Sequence, residues 1–208
     1  MKIAILGATG QTGRRLLDVA RARGWRAQVL VRDPAKLSDR SDLAVQVGDA
    51  RSAADVRAVL SGVEAVFFCL GMADISRPAT DLSDSLRTVI DAMQAHGPRR
   101  ILAVAAAGAL PHPAGGYRNQ HGLPPHLQHI SAEHVRNYEA LRDSGLCWTL
   151  MCPVFLRADI PAGQGQYLFE DLPAGSRETG YADLALTMAD LVNDPAAFER
   201  RVGIVSFR

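Results

Sequence analysis

Lys2-Ile3-Ala4-Ile5-Leu6-Gly7-Ala8-Thr9-Gly10-Gln11-Thr12-Gly13 is the stretch that decides how the rest of the chain is read. A short apolar run stops at Gly7, and a helical pattern follows with Leu16, Leu17 and Ala20 on one face. The glycines between them sit three apart, and each has a separate use. Gly7 permits a tight turn, Gly10 lets backbone approach an anion, and Gly13 lets the helix lie close on the strand. The helix N-terminus aims its unpaired N–H groups and the positive end of its dipole at the same point. A glycine triplet alone is only a turn; with a strand before it and a helix after it, it predicts an anion-binding loop.

The same alternation continues outward from this unit. Gly24 closes the first helix, and residues 25–31 read as a second strand rich in Val and Leu, which makes a right-handed βαβ unit. Further strands are expected at 43–47, 65–70, 100–106, 146–152 and 202–207, and further helices at 53–60, 82–96, 131–144 and 182–192. The prediction is an α/β fold: a single doubly wound Rossmann-type domain over residues 1–208, with a mainly parallel sheet and helices on both faces. Ligands of such sheets bind beyond the carboxyl ends of the strands. Two stretches break the rhythm. Residues 110–130 are rich in proline, glycine and histidine, and residues 157–180 in glycine and proline, and both are read as loops walling a substrate pocket.

Composition narrows the classes of function. Hydrophobic residues make up 48% and charged residues 22% of the 208, the balance of an ordinary globular protein. A net charge of +1 supplies no field to draw in nucleic acid or an anionic membrane, so the expected partner is a small molecule. No apolar run reaches the roughly 20 residues of a membrane span. The chain leads from Met1 straight into the glycine loop without room for a signal segment, which gives a cytoplasmic expectation. Cys69, Cys147 and Cys152 lack metal-ligand spacing and read as buried free thiols.

Candidate site residues follow from the strand ends. The second strand ends in Val31-Arg32-Asp33-Pro34, where the adenosine ribose of a dinucleotide would lie. Arg32 offers a guanidinium suited to a 2′-phosphate, with Lys36 as a second cation, and so favours NADP(H). The alternative gives the ribose to Asp33 and makes the cofactor NAD(H). Asp49, after the third strand, is placed to accept from an adenine amino group or to cap the helix that begins near Ser52. Gly71, after the fourth strand, lets backbone pass close to pyrophosphate and nicotinamide ribose, or is simply a turn glycine.

These residues resemble a known family. GATGQTG at 7–13, LVRD at 30–33, VGD at 47–49, AHG at 95–97, PPHLQ at 124–128 and DSGL at 143–146 are similar to the biliverdin-IXβ reductase (flavin reductase) family of atypical short-chain dehydrogenases. The resemblance is collinear from Met1 to about Phe155 and fades afterwards. It implies an NADPH-dependent reductase of flavins or bilins. It places the pyrophosphate on Gly7, Thr9, Gly10, Gln11 and Thr12, the 2′-phosphate on Arg32 and Lys36, and the adenine on Asp49 and Ala50. Leu70, Gly71, Val104, Pro153, Val154 and Phe155 would line the nicotinamide end.

The departures fall where chemistry happens. The family's Thr-Ser pair is Ala105-Ala106 here, and its active-site histidine is Val154, so the catalytic assignment stays open. Tyr138 is followed four residues later by Arg142 instead of the lysine of the general short-chain dehydrogenase pattern, and reads as a helix-surface residue. His121, His126, His129 and His134 read as a solvated loop and not as a metal site. The function expected is hydride transfer from NADPH to a flat conjugated acceptor such as a flavin, quinone or bilin. The alternative is a protein that binds NADP(H) as a sensor.

Overall fold

The first strand, β1 (Lys2–Leu6), is apolar on both faces because it is covered on both. Ile3 and Ile5 enter the layer formed with α1 (Gln11–Ala22) and α5 (Tyr181–Asp190). Ala4 and Leu6 enter the opposite layer, with α2 (Ala53–Leu60), α3 (Asp81–His96) and α4 (Gln128–Arg142). Burying each large aliphatic side chain contributes roughly 1.5–3 kcal/mol, so the two layers together hold the helices to the sheet. These contacts come from a computed structural model that describes residues 1–72 and 74–207, with His96 placed by its backbone alone. The side chain of His96, within the 95–97 motif, lies outside the described residues.

The other strands of the main sheet are β2 (Arg26–Val31), β3 (Leu43–Val47), β4 (Ala65–Phe68), β5 (Arg100–Val104), β6 (Cys147–Pro153), β8 (Gly165–Phe169) and β10 (Arg200–Ser206). Among the described residues they run in the order β3-β2-β1-β4-β5-β6-β10-β8, parallel except for β8, which pairs antiparallel with β10. The chain moves outward from β1 through β2 to β3 and then returns past β1 to β4. Loops on the two sides of that reversal diverge and open a crevice at the carboxyl ends of β1 and β4. The α/β doubly wound expectation holds. No helix among the described residues is long and apolar enough to cross a membrane.

Three strands correct the reading of 157–180 as irregular. β7 (Phe155–Arg157) pairs with β9 (Glu178–Gly180) in a small parallel sheet, and β8 adds an edge to the main one. Four of the five β8 residues are exposed, so the strand carries neither an apolar run nor a clean alternation for periodicity to detect. Smaller shifts affect boundaries: β4 stops at Phe68 instead of 70, β5 at Val104 instead of 106, and α4 starts at Gln128 instead of 131. In the 110–130 loop, short 3-10 turns and a bridge between Pro111 and Tyr117 supply the local order.

Candidate active site

The three glycines of the first loop turn out to serve unequal purposes. Gly7 has φ +94°, and a Cβ there would lie 2.5 Å from the Cys69 carbonyl oxygen at the end of β4. A Cβ on Gly13 would collide with the Gly7 carbonyl oxygen. Both positions are therefore demanded by packing. Gly10 has an ordinary extended backbone (φ −80°, ψ 171°), and its Cβ would meet only the Gly7 carbonyl oxygen, at 3.3 Å. What its missing side chain leaves is open space at the start of α1. That helix has no side-chain cap and no acidic residue in its first turn, so its N–H groups face outward with their dipole uncompensated. The arrangement fits a pyrophosphate.

Beside the loop lies a cleft of about 250 Å³ at the carboxyl ends of β1 to β4. It brings together Gly7, Thr9, Arg32, Asp49, Ala50, Leu70 and Gly71, seven of the residues expected from sequence. Among the described residues the Arg32 guanidinium has no hydrogen-bond or ion-pair partner, although its charge helps to hold the Asp49 carboxylate ionised. Asp33 turns toward its own loop: Ala35 N donates to its Oδ1 at 3.0 Å, and Lys36 Nζ lies 4.0 Å from its Oδ2. Lys36 is exposed outside the cleft wall, its carbonyl accepting from Arg14 Nη2 at 3.2 Å. Gln11 is exposed on the far side of the loop, beside Arg14 and Arg15, and Thr12 is buried in the first turn of α1.

Asp49 requires a correction. It does not cap α2; Ser52 does, its Oγ accepting from Asp55 N at 3.4 Å. Asp49 instead accepts from Arg51 three times, from N at 2.8 Å and Nε at 3.1 Å on Oδ1, and from Nη2 at 3.0 Å on Oδ2. These bonds hold the Asp49 carboxyl down to about 2. The turn also needs Gly48, where a Cβ would collide with the Asp55 side chain that accepts from Asp49 N.

Val104 and Pro153, at the ends of β5 and β6, are buried. Ala105 is buried, Ala106 half-buried, and neither they nor Val154 brings a titratable group. Val154 and Phe155 line a second cleft of about 390 Å³ together with Leu172, Pro173, Arg118 and Arg177. Here the two irregular stretches meet, the first giving Arg118 and the second Leu172 to Arg177. Arg118 pairs with Asp171, whereas the Arg177 guanidinium has no partner among the described residues. Phe155 is 61% exposed, a large apolar face at the mouth of this cleft.

Sequence reading missed the polar face of α4. Glu133 is fully buried and accepts from Leu82 N at 3.0 Å, Ser83 N at 2.9 Å and Ser83 Oγ at 2.8 Å, so it caps α3 from another helix. Arg136 Nε pairs with it at 2.7 Å. No local spacing announces a cap supplied from 50 residues away. Tyr138 is half-buried, not a solvated helix-surface residue: its ring packs edge-on against Tyr117 and Trp148, each at 5.8 Å, with Arg201 4.2 Å above it. Of the cysteines, all free, Cys152 is buried but Cys69 and Cys147 are only half-buried.

The histidines also separate. His112 and His121 stack at 3.7 Å in the loop, but His134 is buried in α4. Among the described residues no group of three or more His, Cys, Asp or Glu is placed to hold a metal ion. Burial pushes His134 down from 6.5 to about 4. Between those values the unfolded chain binds a proton that the native state refuses, so stability is intact above 6.5 and falls as pH drops toward 4. His134→Leu removes that dependence. Denaturant titrations at pH 7 and 4.5 should show the wild type losing about 2 kcal/mol more than the variant between them. Equal losses would mean that His134 is accessible to protons in the native state.

Comparison with known proteins bears on what this geometry holds. Residues 7–195 match the family described as NAD(P)H-binding. A chloroplastic Arabidopsis thaliana protein of uncharacterised activity is 30% identical over 182 residues, covering 78% of this chain; the chain spans 61% of that relative's length. A provisionally named epimerase from Bacteroides thetaiotaomicron superposes with a TM-score of 0.85 at 24% identity, covering 100% of this chain and 97% of its own. A provisionally named NADH-flavin reductase from Streptococcus pneumoniae gives 0.80 at 20% identity and full coverage of both. At such identities these two likenesses establish the fold.

Proposed function

Because this chain belongs to the NAD(P)H-binding family, we propose that it is an oxidoreductase, related to the biliverdin-IXβ and flavin reductases, that carries hydride from NADPH to a flat conjugated acceptor. The reduced nicotinamide, when bound, supplies the hydride. The protein's part is to hold donor and acceptor together and keep water from between them. Gly7, Thr9, Gly10 and the first turn of α1 would take the pyrophosphate, Arg32 the 2′-phosphate, and Leu70, Gly71, Val104 and Pro153 the nicotinamide end.

The observation that carries this reading is the second cleft at the end of β6, whose floor of Val154, Phe155, Leu172 and Pro173 holds no acid or base; Ala105 and Ala106, which follow β5, bring none either. A carbonyl substrate needs a positioned proton donor; a flavin, quinone or bilin takes its proton from water after the hydride arrives. Arg177 at the rim, without a partner among the described residues, favours an acceptor with a phosphate or carboxylate substituent. NADPH oxidation, followed at the nicotinamide absorbance, should therefore proceed with FMN several-fold faster than with riboflavin. The same bare floor also supports a second reading, an NADP(H) sensor that binds without turnover. Tight NADPH binding with no oxidation by any flavin, quinone or bilin would establish that reading in place of the first.

A further inference from the structure

Arg51 lines the first cleft and takes none of the cofactor contacts assigned above. It stands in the turn between β3 and α2, and its guanidinium is gripped along its edges. Nε and Nη2 go to Asp49 at 3.1 and 3.0 Å, and Nη1 goes to Asp81 Oδ1 at 2.8 Å, in the first turn of α3 across the cleft mouth. The group is thereby fixed in one plane, 52% exposed, and lines the cleft beside Ala50.

Edges taken and faces free suit one kind of ligand. A phosphate would need the N–H edges, where two carboxylates already hold three of the five donors, and would be repelled by both. A planar base needs only the face, where a guanidinium stacks favourably. Arg32, with no carboxylate paired to it, is the better phosphate cation. Asp49, expected from sequence to read the adenine, has three acceptor positions spent on Arg51. We infer that the adenine ring of the dinucleotide lies on the guanidinium face of Arg51, and that Asp49 and Asp81 serve to hold that face in place.

This inference rests on the dinucleotide reading, and the test keeps the two apart. Dissociation constants for NADPH, NADH, AMP and reduced nicotinamide mononucleotide would be measured by calorimetry on wild type, Arg51→Ala and Arg51→Lys, with melting curves to confirm folding. Arg51→Ala should weaken NADPH, NADH and AMP by the same factor, roughly tenfold, and leave the mononucleotide unchanged. Arg51→Lys keeps the charge but not the plane and should not restore binding. Loss confined to NADPH, or rescue by lysine, would make Arg51 a charge contact and overturn the inference. So would unchanged affinity in Arg51→Ala while the wild type binds NADPH. A wild type that binds no dinucleotide would instead remove the cofactor reading itself.

Discussion

Gly10→Val should abolish dinucleotide binding in a protein that still folds. The position has an extended backbone any residue can adopt, and a Cβ there meets only one carbonyl oxygen, at 3.3 Å. The cost to stability is about 1 kcal/mol, that of a poorer helix cap. The two added methyls, however, enter the space in front of the uncapped end of α1. NADPH affinity should fall at least roughly a hundredfold, below detection in an ordinary titration. Contrast is provided by Gly13, where even a methyl would collide with the Gly7 carbonyl, so that Gly13→Ala would lose binding only by damaging the fold. A folded Gly10→Val protein with wild-type NADPH affinity would show that the loop does not hold the pyrophosphate.

Arg32→Ala should separate the two nicotinamide cofactors. Its guanidinium lines the cleft without a competing hydrogen-bonded carboxylate, and Asp33 is turned away to accept from Ala35 N. A charge-assisted bond to a phosphate contributes about 1.5–3 kcal/mol, so NADPH affinity should drop ten- to a hundredfold while NADH affinity changes little. The loss should shrink as salt is added, since Arg32 is exposed and its interaction with a phosphate is screened. Equal losses for both cofactors would make Arg32 a structural residue and leave the preference for NADPH without support.

Much of the site was legible because its signals are local. The glycine loop, the strand before it and the helix after it are neighbours in the chain, and so are Arg32 and the strand that presents it. The ends of β1 to β4 gather Gly7, Thr9, Arg32, Asp49, Ala50, Leu70 and Gly71 into one cleft simply because parallel strands all end on the same side. Periodicity alone placed α2 at Ala53–Leu60 and β3 at Leu43–Val47, the boundaries observed.

Residues whose partners are distant were read wrongly or passed over. Tyr138 looks like a helix-surface residue until Tyr117, Trp148 and Arg201 close around it. Glu133 looks like a solvated helix acid, yet it is fully buried on the N-terminus of α3. Asp49 carries the spacing of an adenine acceptor and is engaged by its near neighbour Arg51; what only the fold reveals is that Asp81, from another helix, takes Nη1 of Arg51 and fixes the pair in place. What the sequence by itself determined is the doubly wound sheet and its glycine loop, since apolar period and backbone freedom are written in consecutive residues. Which glycine leaves room for a ligand, how Arg51 is fixed across the cleft mouth and which guanidinium remains unpaired were decided by tertiary structure, because each depends on atoms brought together from separate strands and helices.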